Sequence, residues 1–196
     1  MDAIILAGGQ GRRMGGVEKA FLRLGNQSFI EHLLQTLSPL AETIILTTNA
    51  PDHYAHLHGV RVVADEQPGK GPLMGLYSGL LASAAEWSFV TTVDAPLLQP
   101  ALVRRLAEAA RECDAVVPSW EKGPEPLCAL YARRCLSAIK SALPMGRVIS
   151  FYPSVRVCLI PESAVRGVDP AGLSFFNVNA AEDYEKLRGL YEPPAR

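Results

Sequence analysis

Residues 2–20 read Asp2-Ala3-Ile4-Ile5-Leu6-Ala7-Gly8-Gly9-Gln10-Gly11-Arg12-Arg13-Met14-Gly15-Gly16-Val17-Glu18-Lys19-Ala20. The run from Asp2 to Ala7 is short and apolar, as a strand buried on both faces requires. Gly8, Gly9, Gly11, Gly15 and Gly16 then fall within nine positions. A loop so poor in side chains lets backbone N–H groups close on an anion and adopts positive φ cheaply. Arg12, Arg13 and Lys19 add three cations within eight residues, which balances a triphosphate better than backbone alone. A strand followed by a glycine loop is a weak signal by itself, and a surface loop with solvated charges is the plain alternative. Two rival phosphate motifs are excluded. A Walker A loop needs Gly-Lys-Ser/Thr, and neither Ser nor Thr occurs before Ser28. The dinucleotide fingerprint starts a helix among its glycines, whereas here Gly11, Gly15 and Gly16 interrupt any helix up to Val17.

Outward from this stretch, strands alternate with helices. Ser28 with Glu31 forms a capping-box pattern, and Ile30, Leu33, Leu34 and Leu37 supply the apolar face of the helix behind it. Thr43 to Thr48 and Val60 to Ala64 read as buried strands. Pro72 suits the first turn of a helix reaching about Ala85, with Leu73, Leu76, Leu80 and Leu81 on its buried side. Ser88 to Val93 is the next strand. Pro100 opens a helix with Leu102, Val103, Leu106 and Ala110 on one face. Ala115 to Val117, Leu127 to Tyr131 and Val155 to Leu159 read as further strands, and Tyr184, Leu187 and Leu190 mark a closing helix. Alternation through residue 118 predicts an α/β fold in three layers, α/β/α, with a mostly parallel Rossmann-like sheet. Ligands of such sheets bind outside the carboxyl ends of the strands. Suspicion therefore falls on Gly8 onward, Thr47 to Asn49, Asp65 and Asp94. The region from Trp120 to Phe176 loses the alternation and is expected to cover one edge of the sheet.

The chain has 196 residues, which suits one domain burying roughly 70% of its unfolded surface. Hydrophobic residues make up 48%, which argues against disorder. Lys and Arg number 19 against 20 Asp and Glu, so no nucleic-acid or membrane partner is expected from charge. Cys113, Cys128, Cys135 and Cys158 lack zinc-ribbon or thioredoxin spacing and read as small buried hydrophobes in a reducing compartment. The chain passes from Met1 straight into the first strand, and no apolar run approaches a membrane span. A cytoplasmic location is expected, and a monomer. His53, His56 and His58 lack consecutive-turn spacing, and they read as a solvated segment begun by Pro51-Asp52 rather than a metal site.

Leu6 through Ala20 resembles the signature of the nucleotidyltransferases with a glycosyltransferase-A-like fold, and within them the molybdenum cofactor guanylyltransferases. Gly9 separates it from the cytidylyltransferases, which usually show Leu-Ala-Ala-Gly. Further matches keep the same order: Asp65, Gly71-Pro72-Leu73-Met74-Gly75-Leu76, Asp94-Ala95-Pro96, Pro126-Leu127 and Asn177-Val178-Asn179. Glu18 stands where the family usually has Asp, which keeps the charge and adds a methylene. The family contact after the second strand falls on Thr47 or, two residues on, Asn49.

The resemblance implies one domain over residues 1–191, nucleotide-binding to about 118 and acceptor-binding beyond, with a tail at 192–196. It implies GMP transfer from GTP to molybdopterin with Mg²⁺ as cofactor, and it leaves room for transient contact with molybdenum cofactor biosynthesis or acceptor proteins. Leu6, Ala7, Gly8, Gly9, Thr47 and Asp65 would bind the nucleotide. Lys19 and Arg13 would hold its phosphates, although Arg13 serves equally as a partner for Glu18. Asp94 would carry the metal; turn-capping in Asp-Ala-Pro is its alternative. Asn177 and Asn179 are linked to the pterin acceptor, although Asn179, three residues before Glu182, also reads as a helix cap. The rival readings are cytidylyl transfer, sugar-phosphate nucleotidyl transfer, or a nucleotide-binding module without catalysis.

Overall fold

Strand β1 (Asp2–Leu6) is buried along its whole length in the computed structural model, which describes residues 1–8 and 18–191. Its side chains alternate between two cores. Ala3 and Ile5 pack on one face of the sheet with Ile30, Leu33 and Leu37 of α1 (Phe29–Leu37) and Leu102, Val103 and Leu106 of α3 (Pro100–Glu108). Ile4 and Leu6 pack on the other with Leu73, Leu76 and Leu80 of α2 (Pro72–Ala82) and Ile139 of α4 (Leu136–Ala142). Helices cover both faces of a mostly parallel sheet, the three-layer α/β arrangement expected from the alternation.

The remaining sheet strands are β4 (Ile44–Thr48), β5 (Arg61–Ala64), β6 (Trp87–Thr92), β7 (Ala115–Trp120), β9 (Ala129–Ala132) and β10 (Val157–Ile160). Their order is β10-β7-β9-β6-β1-β4-β5, with the short β8 (Gly123–Pro124) on β7. From β1 the chain builds outward through β4 to β5, then crosses back to place β6 on the other side of β1. That reversal opens a crevice at the carboxyl ends of β1 and β6. A small antiparallel pair, β2 (Arg23–Leu24) and β3 (Gln27–Ser28), precedes α1. Leu24 and Phe29 meet Val178 and Leu187 in a third core, which docks α6 (Ala181–Tyr191) beside the start of the chain.

The capping box at α1 is present: Ser28 Oγ accepts from the Glu31 N–H at 3.4 Å, and the Glu31 carboxylate accepts from the Ser28 N–H at 2.6 Å. These bonds hold the Glu31 carboxyl below its ordinary range. Other expectations need correction. Leu81 is 43% exposed rather than buried, and α2 stops at Ala82. Past that helix, the buried Asp2 carboxylate accepts from Ser83 Oγ at 2.6 Å and from the Ala85 N–H, turning the chain toward β6. Ala110 lies in a 3-10 turn beyond α3. The region after Trp120 does not merely cover an edge: β9 runs antiparallel between β6 and β7, inside the sheet. Helices α4 and α5 (Glu162–Arg166), at seven and five residues, are too short to carry a periodic apolar pattern in the sequence.

Cys113 and Cys158 are disulfide-bonded rather than free. Their 45-residue separation carries no spacing motif; β10 pairs with β7, with Cys158 opposite Val116, and so brings Cys158 within reach of Cys113, two residues before β7 begins. Cys128 and Cys135 are free and buried as expected, and burial raises both thiol pKa values, that of Cys135 to about 12. Among the described residues no helix is long and apolar enough to cross a membrane. The tail at 192–196 lies outside the described residues.

Gly79 of α2 faces β1 so closely that a Cβ there would stand 2.5 Å from Ile4 Cγ2. Ile4 is fully buried and branched at Cβ, so it has little rotamer freedom to retreat. Overpacking at such a site costs up to about 3 kcal/mol, against about 1 kcal/mol of gained helix propensity. Gly79→Ala is therefore expected to lower Tm by roughly 4–8 °C, measured by thermal denaturation.

Candidate active site

The crevice at the carboxyl edge contains a cleft of about 200 Å³. Leu6, Ala7 and Gly8 form its floor as the chain leaves β1. The Ala7 N–H donates to Thr47 O at 2.8 Å and the Val93 N–H donates to Leu6 O at 3.1 Å, so three strand ends are tied together beneath it. Thr47 and Asn49 both line the wall after β4. The Thr47 hydroxyl is buried and has no hydrogen-bond partner among the described residues. Asn49 Oδ1 accepts from the Gly69 N–H at 3.1 Å and so pins the loop after β5. Gly75 completes the wall, and a Cβ on it would press within 3.2 Å of Thr47 Oγ1 and 3.3 Å of Leu6 Cδ2.

Asp65 leaves β5 into the same cleft. It is 8% exposed, and its Oδ1 has no hydrogen-bond partner among the described residues. Burial raises its carboxyl above the ordinary range. A raised acid pKa means that the folded state holds the proton more tightly than the unfolded state, so stability falls as pH rises through this range. Asp65→Asn removes the buried charge. The variant is expected to melt above the wild-type protein at neutral pH, and the gap should close as pH falls into the ordinary carboxylate range. Melting curves across pH check this.

Lys19 and Asp94 meet at the centre. Asp94 follows β6, and Lys19 sits in a 3-10 turn, Lys19–Phe21, whose Ala20 is fully buried. Lys19 Nζ donates to Asp94 Oδ2 at 3.1 Å and to Asn179 Oδ1 at 3.4 Å. A second cleft of about 250 Å³ adjoins the first, lined by Glu125, Cys128, Asn177 and Asn179 among others. Thr92, Asp94 and Leu127 line both clefts, so Asp94 stands where they join. The Val178 N–H donates to Asp94 O at 2.9 Å, which registers the Asn177–Asn179 segment on the end of β6.

The cap of α6 is not Asn179. Asp183 Oδ2 accepts from the Asn179 and Ala180 N–H groups at 2.9 Å, and the Asn179 side-chain oxygen accepts from Lys19 instead of a helix N–H. These backbone N–H groups hold the Asp183 carboxyl below its ordinary range. Glu18, read as a partner for Arg13, pairs with His53 Nδ1 at 2.6 Å. Gly9 and Arg13 lie outside the described residues. No group of three or more metal-binding side chains occurs among the described residues.

Sequence reading missed Tyr54 and Glu125. Tyr54 is buried in a segment read as solvated, because its ring packs on Phe21 at a centroid distance of 5.4 Å. Burial and the nearby Glu18 carboxylate push its phenol pKa up. Glu125 adjoins the Pro126-Leu127 match, and that adjacency was the available signal.

A MobA-like NTP transferase domain model matches residues 3–154. The molybdenum cofactor guanylyltransferase of Desulfosudis oleivorans is 36% identical over 192 residues, covering 95% of each chain. The probable molybdenum cofactor guanylyltransferase of Methanosarcina mazei is 36% identical over 201 residues, covering 96% of this chain and 90% of its own. The crystal structure of molybdopterin-guanine dinucleotide biosynthesis protein A from Archaeoglobus fulgidus superposes with a TM-score of 0.84 at 26% identity, covering 97% of this chain and 98% of its own. Likeness of this extent, in sequence as in fold, makes the chain a member of the MobA-like NTP transferase family.

Proposed function

We propose that the protein transfers GMP from GTP to molybdopterin, forming molybdopterin guanine dinucleotide and releasing pyrophosphate. A terminal phosphate oxygen of the acceptor attacks the α-phosphorus of GTP. The bond from that phosphorus to the bridging oxygen breaks, and pyrophosphate leaves. The attacking oxygen is already anionic, so no general base is needed. What the protein must supply is alignment and charge neutralisation. The observation that carries this reading is Asp94, bonded to Lys19 where two clefts join.

The first cleft would take GTP, with the backbone of Leu6, Ala7, Gly8 and Gly9 at its phosphates and Thr47 and Asp65 at its ribose or base. Lys19, helped by Arg13, would stabilise charge growing on the leaving pyrophosphate. Asn177 and Asn179 would face the acceptor in the second cleft. The donor set at Asp94 fits Mg²⁺, because a single carboxylate at a phosphate site is how that ion is commonly held, with substrate oxygens and water completing its shell. Bound there, Mg²⁺ would offset the repulsion between the two phosphate groups. Action as a monomer in a cytoplasmic setting, where GTP is available, is part of this proposal.

The test is incubation of the purified protein with GTP, Mg²⁺ and molybdopterin. Pyrophosphate release is expected with GTP and little with CTP. Turnover with CTP alone would move the assignment to the cytidylyltransferases.

A further inference from the structure

The second cleft holds one acid that the transfer chemistry leaves unused. Glu125 lies in the turn between β8 and β9, and backbone bonds hold that turn on both sides. Its N–H donates to Pro118 O at 2.8 Å, and the Cys128 N–H donates to its carbonyl at 3.1 Å. Cys128 is buried behind it. Glu125 itself is half-buried on the cleft wall, and its carboxylate makes no salt bridge among the described residues. Burial raises its carboxyl above the ordinary range, as expected for an acid set to meet a ligand rather than a protein cation.

The chemistry of the acceptor supplies a partner. A pterin ring presents a ring N–H beside an exocyclic NH₂, two parallel donors on one edge. A carboxylate accepts both at once, with two oxygens at matching spacing. Asn177 and Asn179, which line the same cleft, each offer one carbonyl oxygen and an NH₂ that would oppose such an edge. We propose that Glu125 is the specificity residue that grips the amino–N–H edge of the pterin, while the acceptor's phosphate points toward Asp94. This inference rests on the proposed transfer to molybdopterin.

The experiment compares wild-type protein with Glu125→Gln and Glu125→Asp. A bidentate contact to a base edge is worth roughly 10- to 100-fold in discrimination. With saturating GTP, Glu125→Gln is expected to raise KM for molybdopterin by roughly 10-fold or more. KM for GTP, kcat and the Mg²⁺ dependence should stay near wild type, and Glu125→Asp should recover part of the loss. A parallel rise in both KM values would show a general distortion of the joined clefts, and a changed Mg²⁺ dependence would show a metal ligand; either overturns the proposal. Fluorescence titration with pterin and lumazine, which carries a carbonyl in place of the amino group, reads the contact without turnover. Wild-type protein should prefer pterin, and Glu125→Gln should bind the two alike. Equal preference in both proteins overturns the inference. Absence of wild-type pyrophosphate release with GTP overturns the transfer reaction itself, and the titration then still decides what Glu125 recognises.

Discussion

Lys19→Ala is expected to lower guanylyl transfer by roughly 100-fold or more, the usual loss when a charge stabiliser leaves a desolvated site. Lys19 Nζ bonds Asp94 and Asn179 together, so one ammonium touches both the proposed metal ligand and the proposed acceptor residue. No other Lys or Arg lines either cleft among the described residues. The fold should survive the change. The 3-10 turn that carries Lys19 is held by backbone bonds from Phe21 to Glu18 and from Leu22 to Lys19, and by the burial of Ala20. The ion pair is partly exposed, and pairs of that kind contribute little to stability. Tm should therefore stay close to wild type while the rate of pyrophosphate release falls. An unchanged rate would remove Lys19 from the chemistry.

Asp94→Asn should separate binding from transfer. The alternative role for this acid, capping the Asp-Ala-Pro turn, finds no hydrogen bond to support it among the described residues, where the side chain bonds only Lys19. The turn rests on backbone instead: the Ala95 N–H donates to Thr92 O at 3.2 Å, and Asp94 O accepts from Val178. Asn is nearly isosteric and preserves both bonds. What it loses is negative charge at the junction of the clefts. GTP should still bind, since its proposed contacts lie mainly on the β1, β4 and β5 side. Transfer should fall by roughly 100-fold or more, because two phosphate anions must then approach with weaker neutralisation, and excess Mg²⁺ should restore only part of it. A lowered Tm with near-normal turnover in the folded fraction would return Asp94 to a structural role. Calorimetry and pyrophosphate release on one preparation decide the matter.

Local physics made much of this protein legible from its residues. The apolar run at Asp2–Leu6, the capping box at Ser28 and Glu31, and the prolines at Pro72 and Pro100 act within a few neighbours, and each produced the element expected of it. Alternation of strand and helix then required a parallel sheet covered on both faces, and so put Gly8, Thr47, Asp65 and Asp94 at one edge. What lay beyond reach depended on pairing between distant segments. Insertion of β9 between β6 and β7, the union of Cys113 with Cys158, and the exposure of Leu81 follow from register and helix docking, which leave no periodic trace in the chain. Asn179 shows the difference most directly. Its spacing to Glu182 read as a helix cap, yet its side-chain oxygen accepts from Lys19. Burial of Val178 and Leu187 against Leu24 and Phe29 brings the Asn179 side chain to a lysine 160 residues away. Sequence alone set the elements and the edge where the site forms, because backbone and side-chain preferences act locally. Tertiary packing alone decided which side chains meet there, because those contacts exist only once the sheet has closed its order.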